Sequence, residues 1–376
     1  MESAIGSDDR QLNVVRVGGK YRLGEQIGSG SFGTVYSGVN VISNEAIAVK
    51  LESVQVEHLQ LEHEYRVYKS IKGSIGIPSV RWFGMEGDCN ALVLTLLGPS
   101  LEDTFNRSNH KFSLTGVLIL ADQMISRIEH IHSCHFIHGD IKPANFLMGI
   151  GEHDHEVYLI DFGLAKRFRD PKTHLHIPCK EHCPPTGTVP YVSINNHLGL
   201  ERSRRDDIES LAYILIYFLC GSLPWHGIRA TTSGQEHQTI LQLKMNLTLD
   251  HLHPACPSVF SVFLNYARGL AFDEKPDYDY LRSLFRKLLI TEEQQYRHPF
   301  AKCIMSNSLC DWTVGSRGKT SRRKVLQEKD VPLLDKRYVH SVFIPCLPSD
   351  HRPSRLRSRS SRTRCHLITP TTDSMP

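Results

Sequence analysis

From Tyr21 onward the chain alternates apolar and polar residues around glycine-rich turns, and the alternation predicts strands over residues 21–27, 33–40 and 45–51. Residues 58–71 then repeat their apolar positions at helical spacing, and two further strands are predicted over 80–86 and 89–96. Gly98-Pro99 breaks the pattern. Beyond it the apolar period becomes helical, with helices expected over 114–132, 206–220, 239–245 and 257–269. Strands first and helices afterwards predict an α+β chain of two lobes, a small strand-rich one over 21–97 and a larger helical one over 98–312, with a cleft between them. Residues 1–20 read as a flexible polar leader, and no internal repeat is visible.

Composition changes this picture only at the ends. With 40% hydrophobic and 22% charged residues the chain has the make-up of a protein with a buried core. Its net charge of +4 does not require a nucleic-acid partner, because the excess gathers near the C-terminus. There Arg317, Lys319, Arg322, Arg323 and Lys324, and later Arg352, Arg355, Arg357, Arg359, Arg362 and Arg364, stand among serines and prolines. Such a segment buries too little apolar surface to offset its ordering entropy, so 313–376 is expected to be a disordered basic tail. The tail lacks interleaved aromatics for base stacking, which favours a targeting or regulatory segment over an RNA-binding one. The longest apolar run, residues 211–220, is too short to span a bilayer. Ten scattered cysteines without a signal-like leader predict reduced thiols and a cytoplasmic or nuclear protein. His174, His176, Cys179, His182 and Cys183 have zinc-compatible chemistry, but their spacing fits no common structural zinc pattern, and they read as loop residues.

Candidate chemistry lies in motifs that occur in a fixed order. Gly28-Ser29-Gly30-Ser31-Phe32-Gly33 precedes Thr34-Val35-Tyr36, a strand-forming sequence. That argues against a dinucleotide loop, which would open a helix, and leaves a hairpin whose glycines admit phosphate oxygens or a plain turn. Ile47-Ala48-Val49-Lys50 is a strand ending in a lysine, which needs an anionic partner if it is buried. Glu64 on the following helix is the expected partner, with Glu62 the alternative. Next come His138-Gly139-Asp140-Ile141-Lys142-Pro143-Ala144-Asn145 and Leu159-Ile160-Asp161-Phe162-Gly163. Phosphoryl transfer needs positioned groups and charge stabilisation more than covalent help from the protein. Asp140 suits the acceptor of a hydroxyl proton, Lys142 can neutralise the moving phosphoryl group, and Asp161 with Asn145 offers oxygen to Mg2+. In this order and register the motifs resemble those of protein kinases.

The resemblance narrows to the casein kinase 1 family over roughly residues 21–312. It is carried by Leu96-Leu97-Gly98-Pro99-Ser100-Leu101-Glu102-Asp103, Ala121-Asp122-Gln123-Met124, Asn145-Phe146-Leu147-Met148-Gly149, Thr173-His174-Leu175-His176-Ile177-Pro178 and Ser203-Arg204-Arg205-Asp206-Asp207-Ile208. Ser193-Ile194-Asn195 stands where most other kinases carry Ala-Pro-Glu. The resemblance implies a bilobal protein kinase fold that uses ATP and Mg2+ and phosphorylates serine or threonine, often in acidic or already phosphorylated proteins. It implies that Val35 and Ala48 cover the adenine, Leu147 and Ile160 lie beneath it, Thr95 to Leu97 form the hinge and Leu94 backs the pocket. Asp207 takes the place of the family's helix aspartate that steadies the catalytic loop.

Several positions depart from the family pattern. Gly139 stands for an arginine and Ala144 for an aspartate, the His-Gly-Asp form resembling the vaccinia-related kinases. Gly139 has no side chain to pair with a loop phosphate, so activity is expected without phosphorylation of that loop. Val189-Pro190 and Ser233-Gly234 replace Ala-Arg and Lys-Arg, leaving Lys180 and Arg229 as the cations expected to bind substrate anions. A kinase-shaped ATP-binding scaffold without transfer is the alternative, although Lys50, Asp140 and Asp161 are all present. The sequence does not indicate an oligomeric state.

Overall fold

The structure, a computed structural model, describes residues 16–30, 33–57, 59–228, 232–247 and 256–296. The expected tail, residues 313–376, lies outside the described residues.

The first part of the chain forms one antiparallel sheet from β1 (Arg16–Val17), β2 (Tyr21–Gly30), β3 (Gly33–Asn40), β4 (Ala46–Ser53), β5 (Val80–Glu86) and β6 (Cys89–Thr95), in the order β1-β2-β3-β4-β6-β5. The strands begin and end within a few residues of their predicted bounds, with one correction at the start. Arg16 and Val17 pair with Arg22 and Tyr21, and Val17 is fully buried, so residues 16–20 are a hairpin of the sheet and not part of a leader. Residues 1–15 lie outside the described residues.

The two-residue period of β4 decides what each of its side chains meets. Ile47 and Val49 join Val17, Tyr21, Ala91 and Val93 in a small core on one face. Ala48 and Lys50 lie on the other, opposite Leu94 and Leu92. That face receives α1 (Leu61–Ser70), whose buried residues Leu61, Glu64, Val67 and Tyr68 recur at helical spacing.

The second part is helical: α2 (Leu101–Arg107), α3 (Leu114–Ser133), α4 (Ile194–His197), α5 (Arg204–Cys220), α6 (Ser233–Met245), α7 (Ser258–Gly269) and α8 (Tyr278–Tyr296). Short strand pairs lie between them, β7 (Phe136–Ile137) with β10 (Lys166–Arg167) and β8 (Phe146–Met148) with β9 (Val157–Leu159). The architecture is the expected bilobal α+β one. Helix α5 is buried from Arg204 through Phe218 except at half-buried Arg205, and it is enclosed by α3 and α7. Three helices, α2, α4 and α8, add to the sequence expectation. Helix α8 packs on α3, where Arg282 pairs with Glu129 and Arg286 with Asp122, and on α7, where Phe285 meets Phe260 and Phe263. The spacing of buried Leu281 and Phe285 is a helical signal in the sequence. Helix α2 starts from Ser100, which exchanges hydrogen bonds with Asp103 as a capping box.

The start of α5 also anchors the segment before α4. Asp206 accepts the Ser203 N–H at 2.7 Å and the Ser193 hydroxyl at 2.5 Å. Burial pushes its carboxyl up to about 6, against the pull of those two donors. Between about pH 4 and pH 6 the folded chain therefore keeps a proton that the unfolded chain releases. This contribution to stability is present below pH 4 and lost as pH rises through about 6, a loss of roughly 3 kcal/mol by the linkage relation. Asp206→Asn keeps an acceptor oxygen but cannot ionise. Urea unfolding from pH 4.5 to 7.5 should show the variant gaining on the wild type as pH rises. Identical pH slopes in the two proteins would contradict the raised value.

Candidate active site

Strand β4, helix α1 and the loop after β9 bring three charged groups together. Lys50 Nζ donates to Glu64 at 2.7 Å and to Asp161 at 3.0 Å, on side chains that are largely enclosed. Burial disfavours the Lys50 ammonium, but the two carboxylates outweigh it and raise its pKa above the ordinary lysine value. Burial also opposes ionisation of Asp161, yet Lys50 holds that carboxyl below its usual range. Glu64, fully enclosed, is pushed up by burial. Glu62 instead faces outward and pairs with Arg66 at 2.5 Å. Asp161 has a left-handed backbone (φ 66°), and its N–H donates to the Tyr68 hydroxyl at 3.3 Å. Phe162 continues the contact inward, with its ring 4.8 Å from Tyr68 and 5.2 Å from His138, centroid to centroid.

The loop carrying Asp140 is held by its backbone. The N–H groups of His138 and Gly139 donate to the Asp207 carboxylate at 2.8 and 2.9 Å. His132 Nε2 donates to the same carboxylate at 2.9 Å, and its Nδ1 accepts the Tyr278 hydroxyl at 2.7 Å. Burial lowers the His132 pKa, so the ring is neutral and this network fixes its tautomer. Burial opposes ionisation of Asp207 as well, but the His132 hydrogen bond and the loop N–H groups keep it below the usual range. His138 spans the loop, accepting the Asp140 N–H at Nδ1 and donating from Nε2 to the Ile160 carbonyl at 2.9 Å.

The Asp140 side chain is gripped from two sides. Lys142 Nζ donates to Oδ2 at 2.6 Å, while Thr188 donates to Oδ1 through both its N–H (2.9 Å) and its hydroxyl (2.7 Å). Thr188 was not among the expected site residues, and a lone threonine in a loop carries little signal. Asn145 spends its amide nitrogen on the Asp140 carbonyl at 2.9 Å, which leaves its Oδ1 as the acceptor available to a cation.

The apolar residues expected around the nucleotide are those that the fold leaves part-exposed. Val35, Ala48, Leu147 and Ile160 are half-buried, whereas their neighbours Ile47, Val49, Phe146 and Leu159 are fully buried. Thr95, at the end of β6, donates its N–H to the Ser79 carbonyl at 3.0 Å. Leu97 precedes Gly98, whose N–H donates to the Met148 carbonyl at 2.8 Å, tying the crossing segment to β8. In the β2–β3 hairpin a Cβ at Gly30 would have no neighbour within 4 Å, and one at Gly28 would meet only Val35 at 3.8 Å. Gly33 differs, for its φ is +118° and a Cβ would strike the Leu51 carbonyl oxygen at 2.1 Å. It is a backbone requirement of the turn, while Gly28 and Gly30 leave room beside the strand. Open glycines, a paired lysine, an ionised aspartate and an available amide oxygen together fit a nucleotide phosphate chain and a hard divalent cation.

On the far side of Asp140 the segment 188–192 is anchored through its carbonyls. Lys244 of α6, fully buried, donates from Nζ to Val189 (3.0 Å), Val192 (2.7 Å) and His197 Nε2 (3.1 Å). Burial pulls its pKa down to about 7. Trp225 Nε1 donates to the Pro190 carbonyl at 2.9 Å. These anchors were invisible in the sequence, where one lysine in a helix predicts solvent. Lys180 is exposed, with its carbonyl accepting the Glu201 N–H at 2.8 Å. Arg229 lies outside the described residues. His174 packs against His135 (centroids 5.3 Å apart) and His176 against Phe272 (4.7 Å). Among the described residues no group of three His, Cys, Asp or Glu side chains is arranged to hold a metal ion, and no helix is long and apolar enough to cross a membrane.

Comparison with known families matches residues 21–304 to the protein kinase domain. That span runs from the first residue of β2 past the end of α8 and includes every residue of the site described above. With most of its length accounted for in this way, the chain belongs to the protein kinase family.

Proposed function

We propose that this protein kinase is an active serine/threonine kinase of casein kinase 1 type, transferring the γ-phosphate of ATP with Mg2+ to protein hydroxyls in the cytoplasm or nucleus. The observation that carries the reading is the simultaneous contact of Lys50 with Glu64 and Asp161, beside an Asp140 held by Lys142 and Thr188. Phosphotransfer by a protein kinase requires the strand lysine and helix glutamate to be paired. In this mechanism Asp140 orients the acceptor hydroxyl and takes its proton, and Lys142 offsets charge on the moving phosphoryl group. Lys50 holds phosphate oxygens, while Val35, Ala48, Leu147 and Ile160 sandwich the base and residues 95–97 border it. Asp161 and Asn145 would hold Mg2+, which supplies neutralisation of phosphate charge. The serine/threonine reading rests on Lys142, two residues beyond Asp140, where the resemblance to tyrosine kinases would put an alanine.

Asp140→Asn should lower phosphate transfer to casein by roughly a hundredfold or more while nucleotide affinity stays within a few-fold. Transfer from labelled ATP and direct nucleotide titration measure the two quantities. A wild-type chain that binds ATP without transferring phosphate would identify a scaffold, and full-rate transfer by the Asp140→Asn variant would displace Asp140 from its role.

The substrate side supports recognition of acidic or phosphorylated residues by Lys180 and Arg229, with no cation at Pro190, Ser233 or Gly234. An exposed charge contact contributes about 1 kcal/mol or less, and lysine lacks the bidentate fork of arginine. A phosphate-primed peptide should therefore exceed its unprimed partner in kcat/KM by only about fivefold. The advantage should vanish in Lys180→Glu/Arg229→Glu and shrink with salt. A large advantage that survives both would place phosphate recognition elsewhere.

A further inference from the structure

Gly139 sits next to Asp140 with a left-handed backbone, φ +78°. The conformation alone favours glycine. A second feature is independent of it: a Cβ built at this position would lie 2.2 Å from Nη1 of Arg202 and 3.0 Å from the Leu164 carbonyl oxygen. The space beside the catalytic loop is filled by a guanidinium from the segment ahead of α5. Arg202 Nη1 donates to the Gly139 carbonyl at 2.8 Å, and Nη2 reaches the Leu164 carbonyl at 3.5 Å. One planar head thus bridges the loop that carries Asp140 and the residue that follows Asp161-Phe162-Gly163.

The geometry around this bridge is fixed at both ends. Ser203, the next residue, donates its N–H to buried Asp206. Glu201, the preceding one, accepts the Arg202 N–H at 3.1 Å and the Lys166 ammonium, and donates its own N–H to the Lys180 carbonyl at 2.8 Å. Residues 201–202 therefore touch the 164–180 stretch at Leu164, Lys166 and Lys180. Around Gly139 the grips are complementary. Asp207 holds its N–H and Arg202 holds its C=O, so neither peptide plane flanking Gly139 can turn without losing a hydrogen bond.

We infer that Arg202 is a positioning residue for phosphate transfer, coupling the Asp140 loop to the Asp161 segment, and that Gly139 and Arg202 are one interlocking pair. The inference rests on Asp140 and Asp161 serving transfer. It requires an arginine: two diverging carbonyls suit a five-donor fork, whereas a lysine ammonium at this distance would serve only one.

The test uses the full chain with Arg202→Gln, Arg202→Lys and Gly139→Ala. Arg202→Gln should lose roughly tenfold in kcat with KM for ATP within about twofold, because misplacement of a reacting group costs rate more than ground-state binding. Arg202→Lys should recover part of the loss. Gly139→Ala should cost less in the Arg202→Gln background than in the wild type, since part of its clash is with the guanidinium. Hydrogen exchange provides a readout that does not depend on transfer: amides of residues 139–140 and 164–167 should exchange faster in Arg202→Gln while those of α5 and α7 do not. If the wild-type chain transfers no phosphate, the kinase reading fails and exchange alone decides the coupling. Wild-type kcat with unchanged exchange in Arg202→Gln overturns the inference. So does a joint rise of KM and of exchange throughout the lobe, which marks a general loss of structure. Should Arg202→Gln not fold, wild-type kcat in Arg202→Lys overturns it equally, and reduced kcat at constant KM upholds it.

Discussion

The carboxylate of Asp207 is the constraint on which the site depends. It is fully buried at the start of α5, where an unpaired charge would be prohibitive, and its oxygens are taken up by the His138 and Gly139 N–H groups and the neutral His132 ring. Removing any of these donors would leave an undercompensated anion in the interior. The same requirement that stabilises the charge therefore fixes the backbone that presents Asp140. Helix α5 is suited to this task because it is itself enclosed over nearly its whole length and cannot drift relative to α3 and α7. Stability of the helical lobe and geometry of the candidate catalytic loop are one problem with one solution.

A second constraint comes from the sheet. Because side chains alternate across β4, a lysine two residues beyond Ala48 has to share its face, and that face is covered by α1. Glu64 lies on the buried stripe of α1 with Leu61, Val67 and Tyr68, while Glu62 is turned to solvent. Lys50 can be buried only because Glu64 and Asp161 meet it there. Tyr68, Phe162 and His138 then form an aromatic column from α1 to the catalytic loop. Position of α1 and position of the loop are linked through packed rings as well as through charge.

Beyond Asp140 the protein spends buried donors on carbonyls. Lys244 and Trp225 are both enclosed, and each donates to the 189–192 segment that carries none of the cations the casein kinase 1 pattern has there. The chain thus fixes the shape of this segment more firmly than it charges it. The position of the segment and of the Thr188 hydroxyl is defined by packed, hydrogen-bonded groups.

The sequence by itself determined most of the elements and the candidate reacting groups. Strand bounds followed from two-residue alternation, most helices from their apolar period, and the site from motifs whose spacing is set by local backbone: the glycine hairpin, the strand ending in Lys50, and the short loops holding Asp140, Asn145 and Asp161. Those signals are local, so a linear reading recovers them. The hairpin at residues 16–20 escaped because two residues carry no period, and α8 escaped although Leu281 and Phe285 announced it. Only the tertiary structure decided which of Glu62 and Glu64 meets Lys50, that Thr188 holds Asp140, that Lys244 is buried, and that Arg202 fills the space beside Gly139. Each of these joins residues well separated along the chain, and an isolated lysine, threonine or arginine reads as an ordinary polar residue until packing supplies its partner. Pair energies between distant groups depend on burial and distance, and neither is a property of the sequence until the chain has folded.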